Sequence, residues 1–340
     1  MLDDVVYEDV ASVYERVDFS ALAGASVLVT GASGLIGSYL VASLCHLLRQ
    51  GLPVRVTAVV RSDPPPQLAA IEAAGQVEIL RLDLADPHSY ERLPRADAIV
   101  HSAGYAQPSV FTCDPRTTLH VNSSATSALM TRLNSGGRFL FVSSSEVYSG
   151  LRKSLLSEED IGTTTPYHPR AAYIEGKRCG ELICYIERQQ GIEAKSARLG
   201  HIYGPGTKRL DRRAMNVFIE QAIRLGHIRL LDEGRAVRTY CYVADAVELL
   251  WQVLLHGREV VYNIGGKSRI TIAELAATVA AITGASVSGP TLQQEIVGAP
   301  EDVCLDVTRV ETEFGKTQYV PLEDGLRRTV AWQRSLYAGL

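Results

Sequence analysis

No apolar run in this chain approaches the roughly 18 residues that a membrane-spanning helix requires. Met1 to Asp18 carry neither the basic nor the apolar stretch of an export signal. Both absences point to the cytoplasm and to no membrane partner. The six cysteines, Cys45, Cys113, Cys179, Cys184, Cys241 and Cys304, never fall at C-x-x-C spacing, which argues against a zinc site or a disulfide framework. They read as reduced, mostly buried thiols, and no metal is expected. Dense blocks of lysine and arginine are missing too. With both signs interspersed and a net charge of −4, the chain offers no extended surface for nucleic acid. A small anionic ligand stays within reach. Repeats and low-complexity tracts are also absent. What is present is a 340-residue chain, 46% apolar, long enough to bury a sizeable core in one large domain or two smaller ones.

Its chemistry gathers at two places. Arg138 to Val142 is an apolar strand that runs into Ser143-Ser144-Ser145-Glu146-Val147-Tyr148, and parallel sheets place their reactive groups at such strand ends. Tyr173-Ile174-Glu175-Gly176-Lys177 begins 25 residues after Tyr148. At i and i+4, Tyr173 and Lys177 share one face of a helix that the pattern places over about 170–190. A phenol titrates near pH ~10, and a neighbouring ammonium lowers it towards the range where a base is useful. Alone, a Tyr-x-x-x-Lys is more often an exposed helix pair. The hydroxyl cluster and a glycine-rich turn far upstream change that balance.

The turn is Gly31-Ala32-Ser33-Gly34-Leu35-Ile36-Gly37, set between the strand Ser26 to Thr30 and an apolar helix from Tyr39 to Gln50. Strand, Gly-x-x-Gly-x-x-Gly, helix is the layout of a dinucleotide site, where glycines allow close backbone approach and the helix N-terminus faces a pyrophosphate. A second strand, Val54 to Val60, ends at Arg61 before Pro64-Pro65-Pro66. A carboxylate there would suit the ribose of NAD, whereas Arg61 suits the 2′-phosphate of NADP, stacks on adenine, or faces solvent. The third strand, Val77 to Leu82, leads into Asp83-Leu84, suited to the adenine edge. The fourth, Asp97 to His101, opens into Ser102-Ala103-Gly104, where a ribose can lie against backbone. A helix of about 115–134 carries Asn122. His101 and His120 read as structural residues.

This alternation predicts a doubly wound parallel α/β sheet, the Rossmann architecture. After a strand at Glu193 to Leu199 the character changes. A loop from Gly200 to Gly206 precedes the basic run Lys208-Arg209-Leu210-Asp211-Arg212-Arg213, which is either a solvated face or, with Arg238, a diphosphate site. Helices follow over about 214–225, 272–283 and 322–337, a strand over 260–264, and 286–320 reads as irregular. Residues 1–24, with valines at helical spacing, form an extension packed on the outside or at a subunit contact. The expected division is a cofactor domain of 25–199 with 240–265 returning to it, and a smaller substrate part from 200–239 and 266–340.

On Gly31-x-x-Gly34-x-x-Gly37, Asp83-Leu84, Ser144 to Tyr148, Tyr173-x-x-x-Lys177, Arg198 to Pro205, Arg238 and Tyr262 to Gly266, the chain resembles the extended short-chain dehydrogenases/reductases, specifically nucleotide-sugar epimerases, dehydratases and decarboxylases. The resemblance runs from about Ser26 to Trp332. It implies that Tyr173 takes the proton of a sugar hydroxyl, usually at C4, while hydride passes to NAD, with NADP left open. Lys177 lowers the phenol pKa and orients the cofactor, and Ser144 binds the same oxygen. Gly31, Ser33, Gly34, Leu35, Ile36, Gly37, Arg61, Asp83, Leu84, Ser102, Ala103, Asn122 and Ser143 would hold the cofactor. Arg238, Arg213, His201 and Tyr105 would meet the nucleotide-diphosphate sugar. Ser144-Ser145-Glu146 keeps a base, Glu146, but lacks the acid that dehydratases carry where this chain has Ser145. The local match is closest to UDP-glucuronate decarboxylases, which resemble it through Ser145 to Tyr148 and Tyr173-x-Glu175-Gly176-Lys177-Arg178. His201 and Phe111 depart from them, standing where Asn and Tyr are usual. Decarboxylation of an NDP-hexuronate leads, with 4- or 5-epimerisation and dehydration behind it. A cofactor-binding protein without turnover is the other class, against which the intact Tyr173, Lys177, Ser144 and Glu146 argue. Relatives pair through the helix of Tyr173 and the one near Asn122, which implies a homodimer.

Overall fold

In the middle of a parallel sheet both faces are covered, so its strands are apolar throughout, as Val27, Leu28 and Val29 are here. The computed structural model describes residues 4–209, 211–290 and 302–338. The chain starts with α1 (Asp4–Arg16), then β1 (Ser26–Thr30), α2 (Leu35–Arg49), β2 (Arg55–Val60), α3 (Pro66–Ala73), β3 (Glu78–Arg81) and β4 (Ala96–His101). Three short helices follow, α4 (Pro108–Phe111), α5 (Pro115–Asn122) and α6 (Ser124–Met130), and then β5 (Leu133–Ser144), α7 (Ala171–Gln189) and β6 (Glu193–Leu199). Beyond them come β7 (His201–Tyr203), α8 (Ala214–Leu225), β8 (His227–Arg229), β9 (Val237–Tyr242), α9 (Val243–His256) and β10 (Val261–Ile264). The last elements are β11 (Ser268–Thr271), α10 (Ile272–Thr283), β12 (Ser286–Ser288), β13 (Asp302–Val303), α11 (Thr308–Phe314) and α12 (Leu322–Tyr337).

Seven strands form one sheet in the order β10-β6-β5-β4-β1-β2-β3, every pairing parallel. This is the doubly wound sheet expected from the alternation. The chain grows outwards from β1 to β3 and then returns to the other side of β1 with β4, so a crevice opens between the C-terminal ends of β1 and β4. A smaller sheet is built on β9, which pairs with β11 antiparallel and with β7 and β13 parallel. β8 and β12 pair separately.

Several boundaries differ from the sequence reading. The helix expected over 115–134 is two, divided at Ser123, which stands between α5 and α6 with φ −115 and ψ −77. β5 begins at Leu133, ahead of the expected Arg138, and its pairing with β4 slips at Ala96/Ala98. α2 begins at Leu35, directly after the glycine turn. The stretch taken as irregular contains β12, β13 and α11, and its part over 291–301 lies outside the described residues, as does Leu210.

α1 is more than an outer extension. Its stripe of Val6, Val10 and Val13 packs on α2 and α9. Asp9 lies inside this contact and accepts hydrogen bonds from the Tyr39 hydroxyl at 2.9 Å, the Tyr242 hydroxyl at 2.8 Å and Arg328 Nη1 at 2.9 Å. Burial raises the Asp9 pKa, and these three donors work against that rise.

Candidate active site

β1 delivers the chain to Gly31, whose φ of 69 belongs to the left-handed region that favours glycine. A side chain there would bring its Cβ to 2.6 Å from Ala103 N, and one at Gly37 would strike the Gly31 carbonyl oxygen. The glycines therefore serve the close approach of β1, β4 and α2. Gly34 N donates to Gly31 O and Ser38 N to Gly34 O, both at 2.9 Å. The N–H groups of Leu35, Ile36 and Gly37 form the first turn of α2 and have no backbone partner among the described residues. This donor set fits a dinucleotide pyrophosphate.

The rim beside it is held by His101. Its Nε2 meets the Val121 carbonyl at 2.9 Å, so Nε2 carries the proton and Nδ1 accepts from the Thr30 hydroxyl at 2.7 Å. Burial holds the imidazole down to about 4, in its neutral form. His101 is thus a structural clamp between β1, β4 and α5, as expected. Ser102 Oγ donates to Thr30 O at 2.6 Å, which leaves Ala103 and Gly104 as bare backbone along the crevice. Behind Gly104 lies Asn122. Its Nδ2 donates to Thr118 O at 2.7 Å, while its buried Oδ1 has no partner. A Cβ built on Gly104 would be 3.6 Å from that oxygen and 3.7 Å from Lys177 Nζ. An orphaned acceptor, an ammonium and a glycine-lined gap meeting at one point also fit a bound cofactor.

Tyr173 and Lys177 stand on the first turns of α7, as their spacing predicts. Lys177 Nζ donates to Val142 O at 2.7 Å and lies 4.8 Å from the Phe141 ring and 5.6 Å from the Tyr173 ring. Burial lowers its pKa to about 7, with Glu181 opposing. The Tyr173 phenol is raised to about 12 by burial, against the pull of its hydrogen bond to Ser144. The Tyr–Lys pairing alone predicts a lowered phenol, but loss of solvent outweighs the nearby cations. Ser144 Oγ also accepts from Glu146 N at 3.2 Å. Phe111 lies flat on Tyr173, ring centroids 4.6 Å apart and 9° from parallel, and the Arg170 guanidinium sits 5.5 Å above Phe111.

Arg170 is the residue sequence reasoning missed. It forms an ion pair with Glu146, both side chains largely shielded. Burial raises the Glu146 pKa, while Arg170, then His168 and Arg238, hold the rise back. Its trace in the sequence is weak: Arg170 precedes Tyr173 by three residues and so shares its helical face.

Two of the expected site residues have side-chain partners of their own. Ser143 was taken as a cofactor contact, but its hydroxyl donates to Glu181 Oε1 at 2.5 Å, and Glu181 also takes Arg198 Nη2 at 2.7 Å. Successive strand residues face opposite sides, so with Ser144 on the site Ser143 supports the far side of β5. Tyr105 was placed with the sugar, but its hydroxyl pairs with Arg61 and its ring lies 5.0 Å beneath the Arg61 guanidinium, at the end of β2.

Arg61 itself is exposed. Asp83 accepts from Ala85 N at 3.0 Å, and Leu84 is buried in the core. Ser145 opens a single 3-10 turn with Glu146. On the substrate side, buried Arg238 donates to Val237 O at 2.7 Å. Arg213 is clamped by Asp211, with Nε at 3.0 Å from both carboxylate oxygens. The basic run is therefore partly neutralised within itself. His201 packs edge-on against Tyr240, its Nδ1 unpartnered, and burial followed by Arg238, Arg213 and Arg170 holds it down to about 3. Arg213 also acts on Tyr173 electrostatically, so these cations surround one space.

Residues 27–265 match the NAD dependent epimerase/dehydratase family model. UDP-glucuronic acid decarboxylase 6 of Arabidopsis thaliana is 30% identical over 302 residues, 88% of this chain and 86% of that protein. A dTDP-glucose 4,6-dehydratase from Streptomyces venezuelae, solved with NAD bound, superposes with a TM-score of 0.78 at 26% identity, covering 91% of this chain and 97% of its own. UDP-glucuronic acid 4-epimerase from Bacillus cereus, solved with UDP-glucuronic acid and NAD, shares the fold with a TM-score of 0.76 at 23% identity, covering 92% of this chain and all of its own.

Proposed function

Because the chain belongs to the NAD-dependent epimerase/dehydratase family of extended short-chain dehydrogenases/reductases, we propose that it oxidises a nucleotide sugar transiently at C4 and decarboxylates an NDP-hexuronate of the UDP-glucuronate kind. NAD, when bound, would supply the hydride acceptor for C4 and the hydride that closes the same cycle. Tyr173 accepts the C4 hydroxyl proton while Ser144 holds that oxygen. A phenol at about 12 is in the right form to give the proton back, and taking it up first needs positive charge nearby. Arg170 and Arg213 already act in that sense, and Lys177 is fixed beneath the ring by Val142 O.

Once C4 is a ketone, a C6 carboxylate is a β-keto acid. Carbon dioxide leaves with cleavage of the C5–C6 bond, and the electron pair left on C5 takes a proton. Glu146 carries the choice among reactions. Its raised pKa suits a group that must hold and deliver a proton, and Arg170 fixes its direction. A simple 4-epimerase would leave Glu146 idle, and a dehydratase needs an acid that Ser145 does not provide. Arg238 and Arg213 are the proposed diphosphate partners, with His201 beside them.

The test is mass spectrometry of UDP-, dTDP-, GDP- and CDP-sugars, hexuronates included, after incubation with the protein. Loss of carbon dioxide from a hexuronate is expected. Loss of water instead would assign a dehydratase, and an unchanged mass with a shifted sugar would assign an epimerase. Glu146→Gln should abolish decarboxylation, and turnover that survives it would leave only chemistry at C4. The homodimer also belongs to this proposal. Leu182, Tyr185 and Ile186 on α7 and Leu119 on α5 are exposed apolar residues on packed neighbouring helices, which light scattering can test. So does a cytoplasmic location, which the six free cysteines suit, and no described helix is long and apolar enough to cross a membrane.

A further inference from the structure

Two cations meet at the adenosine end of the glycine cradle without a carboxylate between them. The first, Arg61, directly follows β2, whose Val59 pairs with Thr30 immediately before the glycine turn. The second, Lys208, comes from the loop after β7 and reaches across the crevice to Ser33 within that turn, Nζ to Oγ 3.5 Å. The ammonium is held below the usual lysine range, first by loss of solvent and then by the Arg61 guanidinium. Like charges brought together raise each other's energy, and such an arrangement is relieved when an anion occupies the space between them.

The carboxylates that could have filled that role are directed elsewhere. Asp63, two residues after Arg61, is fully solvent-exposed and 3.6 Å from Arg81. Asp83 is occupied by Ala85 N. No carboxylate forms an ion pair with Arg61 or Lys208 among the described residues. Tyr105, meanwhile, lies under Arg61 and takes one of its N–H groups, which fixes the guanidinium plane and leaves its remaining donors for a second partner. In a doubly wound sheet the residue at the end of β2 meets the adenosine ribose, where a carboxylate binds the free 2′-hydroxyl and a guanidinium accommodates a 2′-phosphate.

Resting on the dinucleotide reading of this cradle, we propose that Arg61, Lys208 and Ser33 form a phosphate site for the 2′-phosphate of NADP, so that the protein binds NADP more tightly than NAD. Catalysis is untouched by the change, because the extra phosphate lies at the far end of the cofactor from the nicotinamide. Lys208 joins the cofactor to the loop that follows β7, so the same contact would tie cofactor binding to the position of that loop.

Calorimetric titration of the purified full chain, freed of bound nucleotide, reads this without turnover. NADP+ should bind at least about tenfold more tightly than NAD+, the difference expected for charge-assisted bonds to a phosphate. The pair 2′,5′-ADP and ADP should show the same order, which separates a 2′-phosphate site from one that binds any phosphate. Arg61→Asp should reverse the preference, and Lys208→Ala should weaken NADP+ while changing NAD+ by less than about threefold. Equal affinities, or tighter NAD+, would overturn the phosphate site and leave the dinucleotide site standing. Binding of neither dinucleotide would overturn both.

Discussion

Replacing Arg170 with Met removes the partner of Glu146 and keeps an unbranched side chain over Phe111. The two side chains are 18% and 22% exposed. Breaking a fully buried ion pair costs about 3–5 kcal/mol and an exposed one about 0–1 kcal/mol, so roughly 2 kcal/mol is expected here near neutral pH. The loss should depend on pH with a definite sign. Glu146 already has a folded-state pKa above its ordinary value, so the folded protein holds the proton where the unfolded chain has released it. Its contribution to stability is greatest below the unfolded pKa and is lost as pH rises through the folded one. Without Arg170 that folded pKa climbs further, each unit being about 1.4 kcal/mol. Urea denaturation at pH 5 and pH 8 should therefore find a smaller deficit in Arg170→Met at pH 5, where Glu146 is protonated more readily. Glu146→Gln combined with Arg170→Met should recover about half of the pH 8 loss, because no buried charge is left unpaired. A deficit of equal size at both pH values, together with strict additivity in the double variant, would refute the coupling.

Tyr173→Phe keeps the stack on Phe111 and removes only the hydroxyl. Turnover should fall by about 10²–10⁴-fold while nicotinamide nucleotide binding, followed by calorimetry, stays within a few-fold; undiminished turnover would remove Tyr173 from the mechanism. Gly37→Ala places a methyl group into the Gly31 carbonyl, so thermal unfolding should occur at least several degrees lower and dinucleotide affinity should drop, whereas an unchanged melting temperature and affinity would show that the turn is not closely packed.

Local patterns were legible in the sequence and distant partnerships were not. The glycine turn, the strand-end serines and the Tyr173–Lys177 spacing each lie within a few residues, where backbone geometry alone fixes what faces what. Strand alternation sets Ser143 and Ser144 on opposite faces, a distinction that the sequence reading, which gave both to the site, did not use. Arg170 was overlooked because an arginine three residues before a tyrosine means little until Glu146, 24 positions earlier, is known to lie against it. The clamp role of His101 depends on Thr30, 71 positions away. Ser123 interrupts a helix in a run that composition reads as continuous, because no Pro or Gly marks the break.

The three donors gathered on Asp9 also set an order of events during synthesis. Asp9 leaves the ribosome well before Arg328, which lies 319 positions later. At about 5–20 residues per second, the interval between them is roughly a quarter of a minute to a minute. Through that time the valine stripe of α1 and its acidic residue wait for α12, which does not yet exist. The seven-stranded sheet can assemble earlier, but the seam joining α1 to α12 closes only after α12 has been made. A ribosome that stalls before α12 is complete would therefore release a chain with an intact cofactor cradle and an unsealed edge, the form on which chaperones and proteases would act first.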